Sequence, residues 1–290
     1  MMLTIILAAS SFPVGAAITN ELSPAVMMFI RFLLAAILFA PYVFVKNPFQ
    51  LPSWTKIYNY TILSVPLVVF FWCMFESLRY TSVLNTGALY TLVPAITAIF
   101  ALLINKEVTN KFRSIGLLMG TIGALWIVFR GDYAAFVGLE LNYGDLIFIL
   151  GCLFLGLYNP LVKKYYSGEP MEVMTFWVLL FGACWLLLIS STSISSVNWY
   201  TIDISVYAGL VYLALFSTLL TFFLLQLCVV KIGPTKVAAY GFLTPIFVIT
   251  ISIAIGMEKL EPVTLPGILL VVVAVFIIQK EPNVELSKNT

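Results

Sequence analysis

Apolar residues run along this chain in long, nearly uninterrupted blocks, at about 2–19, 24–45, 57–78, 82–104, 113–130, 143–162, 171–190, 204–230, 235–255 and 264–279. Each block approaches the roughly 20 residues that a helix needs to cross the hydrocarbon of a bilayer. The pattern predicts an all-α integral membrane protein with ten transmembrane helices. The polar breaks carry residues expected at helix ends: Ser23-Pro24, Lys46-Asn47-Pro48, Asn105-Lys106-Glu107, Arg130-Gly131-Asp132, Ser167-Gly168-Glu169-Pro170 and Gly256-Met257-Glu258. All are short, so residues 1–290 read as a single membrane domain. The short alternating strands of a transmembrane barrel are not seen.

Composition agrees. Of 290 residues, 62% are apolar and 10% charged, against about 25% charged in soluble domains, and mean hydropathy is +1.07. A water-soluble globular fold is excluded. The chain has no histidine, which removes histidine-based zinc sites, Ser-His-Asp triads and imidazole relays. Cys73, Cys152, Cys184 and Cys228 each stand alone in a different apolar block, so neither a metal pair nor a disulfide framework is read from them. No catalytic residue, metal site or cofactor is expected. The net charge of +2 is small and its basic residues are scattered, which argues against nucleic-acid binding. Residues 1–19 lack the basic region of a signal peptide and read as a retained span.

With the N-terminus inside, the cytoplasmic connections hold Lys46, Lys56, Lys106, Lys111, Arg113, Lys163, Lys164, Lys231, Lys236, Lys280 and Lys288. The opposite face holds Arg79, Arg130 and Lys259, and Arg31 lies within a span. This asymmetry places both termini in the cytoplasm of a plasma (inner) membrane protein.

Sliding the chain by 151 residues superposes Ala88 on Ala239, Pro94 on Pro245, Glu107 on Glu258, Gly116 on Gly267 and Ile127 on Ile278. A slightly smaller offset superposes Pro13 on Pro160 and Pro24 on Pro170. The chain therefore reads as two five-helix repeats, 1–131 and 132–290. An odd number of spans makes the second copy enter from the opposite side, giving the inverted repeats associated with alternating-access carriers.

Ser23-Pro24, Arg31-Phe32-Leu33-Leu34-Ala35-Ala36, Leu78-Arg79-Tyr80-Thr81-Ser82, Pro94, Glu107, Gly116 and Gly123 together resemble the EamA-type drug/metabolite transporters, over essentially the whole chain. The second repeat departs in having Trp177 where Arg31 would correspond. The resemblance implies a central cavity lined mainly by the first, third, fourth, sixth, eighth and ninth helices. It also implies a small polar or amphipathic metabolite as cargo, often an amino acid being exported. The alternative is uptake of a nucleotide-like or sulfonium metabolite on the same fold.

Pro13, Pro94, Pro160 and Pro245 fall within matched helices, and each removes a helical hydrogen bond. They are expected to be kinks, either static or acting as hinges. Polar residues within spans are costly and mark candidate sites. Trp72, Glu76 and Arg79 recur at one-face spacing on the third span, and Tyr90, Pro94 and Thr97 do so on the fourth. The sixth span offers Tyr158 and Asn159, the eighth Thr218, Phe222 and Gln226, and the ninth Tyr240 and Thr244. These residues describe an aromatic pocket for a small-molecule substrate with apolar or weakly cationic character. Glu76 reads either as an ion-pair partner of Arg79 or as a carboxylate that binds cargo or exchanges a coupling proton. Arg31 reads as an anchoring or interhelical residue, Lys236 as an ordinary cytoplasmic lysine, and Glu107 and Glu258 as caps or interfacial partners. Gly116, Gly120 and Gly123 form a small-residue face for packing within the bundle. The lipid bilayer is the remaining partner, and oligomeric state is left open. The chain carries no Walker motif for an ATP-driven pump, no charge rings for a channel and no clustered acids, histidines or thiols for a membrane enzyme.

Overall fold

Every apolar block must satisfy its own backbone hydrogen bonds in a medium without water, so helices dominate. The computed structural model describes residues 1–18, 22–48, 51–77, 79–81, 83–108, 110–138, 141–195, 197, 199, 202–254, 262–280 and 284–285. The first half contains α1 (Met2–Ile18), α2 (Pro24–Lys46), α3 (Trp54–Ser77), α4 (Val83–Tyr90), α5 (Val93–Asn105), α6 (Lys111–Val128) and the short α7 (Tyr133–Val137). The second contains α8 (Tyr143–Tyr165), α9 (Met171–Ile194), α10 (Ile204–Tyr212), α11 (Thr221–Ile232), α12 (Pro234–Ala239), α13 (Thr244–Ala254) and α14 (Leu265–Lys280). Among the described residues, nine stretches are long and apolar enough to cross a membrane, and α1 is a further apolar helix of 17 residues. The sequence did not anticipate a two-residue ladder, in which Glu107–Val108 pairs antiparallel with Val284–Glu285. Leu78, Ser82, Glu258, Lys259 and Lys288 lie outside the described residues.

The helix ends follow local chemistry. Pro24 opens α2 at a position where its missing amide proton is harmless. Asn142 and Asp145 cap α8 reciprocally, with side-chain to backbone bonds of 3.0 and 2.9 Å. Gly233 alone separates α11 from α12 at φ +91°, a conformation that side chains disfavour.

Two spans are broken. Between α4 and α5, the Thr91 and Leu92 amides donate to the carbonyls of Ala88 (3.2 Å) and Leu89 (3.1 Å), three residues back, and Pro94 is the second residue of α5. Between α12 and α13 the chain tightens into a 3₁₀ turn, Tyr240–Leu243, and Pro245 is the second residue of α13. Both prolines thus open a new helix after a break. Pro160 lies inside the continuous α8, as do Pro41 in α2 and Pro66 in α3. The backbone of Pro13 belongs to α1, and its side chain lies outside the described ones.

The most extensive helix pairings are α6 with α14, α3 with α8, α2 with α9 and α5 with α8, and α1 packs on α13 and on α10–α11. The α6–α14 pair meets at glycines. A methyl group on Gly123 would lie 2.9 Å from the Gly267 carbonyl oxygen, and one on Gly267 would lie 2.7 Å from that of Gly123. Gly116 faces Ile278 as Gly267 faces Ile127, and Gly120 abuts the Phe242 ring. The glycine face expected on the fifth span therefore packs within this chain.

Candidate functional site

The functional question starts at Arg31, seven residues past Pro24 and hence about 10 Å along α2. Its side chain is buried, with 1% exposure. Nε donates to the Thr218 hydroxyl, while Nη2 donates to the Ser217 hydroxyl at 2.9 Å and the Ser217 carbonyl at 3.2 Å. Both partners belong to a π-helical stretch, Leu213–Leu220, that joins α10 to α11. A π turn widens the helix and recurs at functional sites. Just beyond it, the Thr221 hydroxyl donates to the Phe216 carbonyl at 2.8 Å.

The Phe71 ring lies 5.2 Å below the guanidinium. From there an aromatic series leads through the bundle: Phe71 to Phe222 at 5.7 Å and Phe222 to Tyr158 at 6.4 Å, with Phe32 against both Phe71 and Phe222. Tyr158 and Gln226 are fully buried. The Gln226 amide bridges two hydroxyls: Nε2 donates to Tyr158 at 2.8 Å, and Oε1 accepts from Thr175 at 2.5 Å. A buried amide with both ends engaged fixes the facing helices α8, α9 and α11 in one register.

The structure brings together Tyr158, Phe222 and Gln226 as the sequence suggests. Tyr90 joins them through Phe70, its ring 6.5 Å away, and a methyl group on Gly241 would lie 3.8 Å from the Tyr90 ring. The α4–α5 and α12–α13 breaks therefore lie side by side. Asn159 is buried beside Tyr158, and its Oδ1 has no partner among the described residues. The neighbouring Pro160 carbonyl accepts from Asn105 at 3.2 Å. Tyr240 packs instead with Phe242 and Ile5 in a second apolar cluster. No hydrogen bond or ring contact joins Trp72, Glu76 or Tyr240 to the Arg31 network among the described residues.

Glu76 contacts Arg79 at 3.3 Å, with side-chain exposures of 19% and 61%. An arginine so exposed stays hydrated when its partner is lost, and exposed pairs contribute about 0–1 kcal/mol. Glu76→Gln is therefore expected to change stability by less than about 1 kcal/mol, measured by thermal unfolding in detergent. A larger loss would show that the pair holds the end of α3.

The ends of the bundle carry the remaining polar groups. At one end Glu107, fully buried, binds Arg113 at 3.1 Å and approaches Lys163 at 4.0 Å. Lys46 pairs with Glu172 at 2.9 Å and Lys56 with Glu169 at 3.7 Å. Burial works against the Glu169 charge, but hydrogen bonds from the Ser167 hydroxyl and amide, together with Lys56, hold this carboxyl below its ordinary range. Lys236 donates to the Gln279 carbonyl at 3.1 Å, and Gln279 returns a bond of 2.9 Å, which ties α12 to α14. At the opposite end Asp145, fully buried, accepts from the Thr81 hydroxyl at 2.5 Å and from the Asn85 amide at 3.1 Å. This carboxylate latches the α3–α4 connection to the start of α8. Sequence reading missed it, although Asn142-x-x-Asp145 has the spacing of a capping box.

The model of the EamA-like transporter family matches residues 1–129 and 142–279. The chain belongs to the EamA-like transporter family. It is 28% identical over 183 residues to a protein of Bacillus subtilis (strain 168) named "Uncharacterized transporter YyaM", a match that covers 63% of this chain and 60% of that protein's length. It is 24% identical over 276 residues to an "Uncharacterized transporter" of Archaeoglobus fulgidus, covering 95% of this chain and 94% of that one. A crystal structure at 15% identity superposes with a TM-score of 0.78 over 94% of this chain and 93% of its own, which shows the shared fold. The EamA member described above is thus a multi-pass membrane protein of a transporter family. Within that frame, Phe71, Phe32, Thr175 and Ser217 are the residues of the network that sequence reading did not single out.

Proposed function

We propose that the chain is a secondary transporter that exports a small polar or amphipathic metabolite across the plasma membrane by alternating access. In this reading ten helices form two inverted five-helix repeats, 1–131 and 132–290, with both termini cytoplasmic. The observation that carries it is the matched pair of broken spans: each breaks immediately before a helix whose second residue is proline, Pro94 or Pro245, and the two breaks lie side by side. Discontinuous helices in corresponding positions of two halves are the feature from which carriers build a central site. The reciprocal contacts at Gly116, Gly123, Gly267 and Ile278 support a two-fold relation between the halves. So do the pairings, since α3 on α8 and α5 on α8 have counterparts in α10–α11 on α1 and α13 on α1. The proposed binding region runs along Tyr158, Phe222 and Gln226 to Tyr90, with Asn159 beside Tyr158, and on the sequence pattern alone it extends to Trp72, Glu76 and Tyr240.

Counterflow in proteoliposomes tests this reading. Preloaded unlabelled metabolite should drive saturable uptake of the same labelled metabolite, which a channel does not produce. Pro94→Ala and Pro245→Ala should slow that exchange at least about tenfold while lowering the unfolding midpoint only slightly. Flux that is linear in concentration and shows no counterflow would overturn the reading, and equal losses of rate and stability would reduce the prolines to packing residues.

A further inference from the structure

Two arginines are fully buried among the described residues, and they are treated differently. Arg113 has the Glu107 carboxylate at 3.1 Å. Arg31 has no carboxylate within ion-pair distance among the described residues; its three hydrogen bonds all go to neutral oxygens of Ser217 and Thr218, and all use Nε or Nη2. Nη1 donates to nothing described. A buried charge without a counter-charge costs several kcal/mol, and an apolar residue at this position would pack against Phe71 without that cost. The matched position in the second repeat holds Trp177, so the charge is present in one half only.

We propose that Arg31 is the receptor for a carboxylate on the cargo, which supplies the missing counter-charge through Nη1. The inference rests on the transporter reading and narrows its cargo to small carboxylates. Nη1 carries two N–H donors of its own, and a charge-assisted hydrogen bond from a guanidinium to a carboxylate strengthens where water is excluded. Nε and Nη2 are held by the π-helical stretch, so Nη1 is fixed in place before cargo arrives. The rings of Phe71 and Phe222 extend 5.2 and then 5.7 Å further on, next to the apolar remainder of such a molecule, and the Tyr158–Gln226 pair ends the series. A dianionic phosphate would require further cations, and the immediate neighbours shown for Arg31 are two hydroxyls, one carbonyl and the Phe71 ring.

The test is thermal unfolding of the purified protein with apolar L-amino acids and short mono- and dicarboxylates, each beside its amide, and with chloride. At least one carboxylate should raise the midpoint, and its amide should not. Arg31→Gln should weaken that carboxylate by about thirty-fold or more, while the ligand-free midpoint stays at or above that of the parent. Arg31→Lys, which keeps the charge but loses the bonds to Ser217 and Thr218 that aim it, should fall between. If Arg31 only tied α2 to the π-helical stretch, Arg31→Gln would lower the ligand-free midpoint and leave the ligand response intact. The proposal is overturned by that result, by an amide or chloride acting as well as the carboxylate, or by no response to any carboxylate. The acid–amide comparison uses the unaltered protein and stands even where a variant fails to fold. A carboxylate that binds through Arg31 but shows no counterflow would sink the transporter reading alone. Counterflow of an amine that ignores Arg31→Gln would sink this inference alone.

Discussion

Glu107→Gln is expected to destabilise the protein by about 3–5 kcal/mol, the range for removing one partner of a buried ion pair. The carboxylate is fully buried and lies between Arg113, itself 1% exposed, and Lys163. Glutamine fills the same space but leaves the buried positive charge of Arg113 without this counter-charge. The unfolding midpoint in detergent should fall on the order of 10 °C. Changing the pair together, Glu107→Leu with Arg113→Met, should recover most of the loss, because a well-packed apolar pair is often as stable as a buried ionic one. A midpoint unchanged in Glu107→Gln would mean that water reaches this end of the bundle and hydrates the arginine.

Gly267→Val should be nearly as damaging, by about 3 kcal/mol or more. Its new Cβ would stand 2.7 Å from a backbone oxygen of α6 and 2.9 Å from the Ile127 side chain, so α6 and α14 must separate. A rigid carbonyl cannot turn aside as a side chain end does. Gly87→Ala is the matched control: its nearest neighbours, two methyl carbons of Val128, lie 3.6 and 3.7 Å away, an ordinary contact. Alanine there should be neutral or add up to about 1 kcal/mol through helix propensity. Parallel unfolding curves decide the point, and equal responses at the two glycines would show that α6 and α14 do not pack through their backbones.

The spans were legible because hydrocarbon imposes the same demand on every helix, and the matched prolines and glycines were legible because each is uncommon in so apolar a chain. Gly116 could be matched to Gly267 through the repeat and set with Gly120 and Gly123 on one packing face, since small residues are the means by which membrane helices approach, but that Gly123 meets Gly267 was not legible. The site was legible only in part. Gln226 and Tyr158 stood out as polar groups in apolar blocks, but Phe71 did not, because a phenylalanine in a membrane helix carries no signal until its neighbours are known. Trp72 stands out in the sequence only through its spacing to Glu76, which turns toward Arg79. The π-helical stretch Leu213–Leu220 has no mark in the sequence; its irregularity coincides with the point where Ser217 and Thr218 receive the guanidinium of a helix distant in sequence. The sequence marks Glu107 as a cap or interfacial partner and Arg113 as a basic residue of a cytoplasmic connection, and not as a buried pair, since such burial depends on tertiary packing that helix periodicity does not encode.

The seat of Arg31 also has a consequence for biosynthesis. Its hydroxyl partner Thr218 lies 187 residues later in the chain, so at about 5–20 residues per second some 10–40 seconds pass between the two emerging from the ribosome. A lone arginine at the centre of an inserted helix costs about 2.5–3.5 kcal/mol, less where its long stem lets the head reach the interface. During that interval α2 is expected to sit high or tilted, with its cation in water or among headgroups, and to sink to its final depth only when the α10–α11 stretch arrives to receive it. The order in which spans are made, and not only their final packing, sets how long this helix stays unsettled.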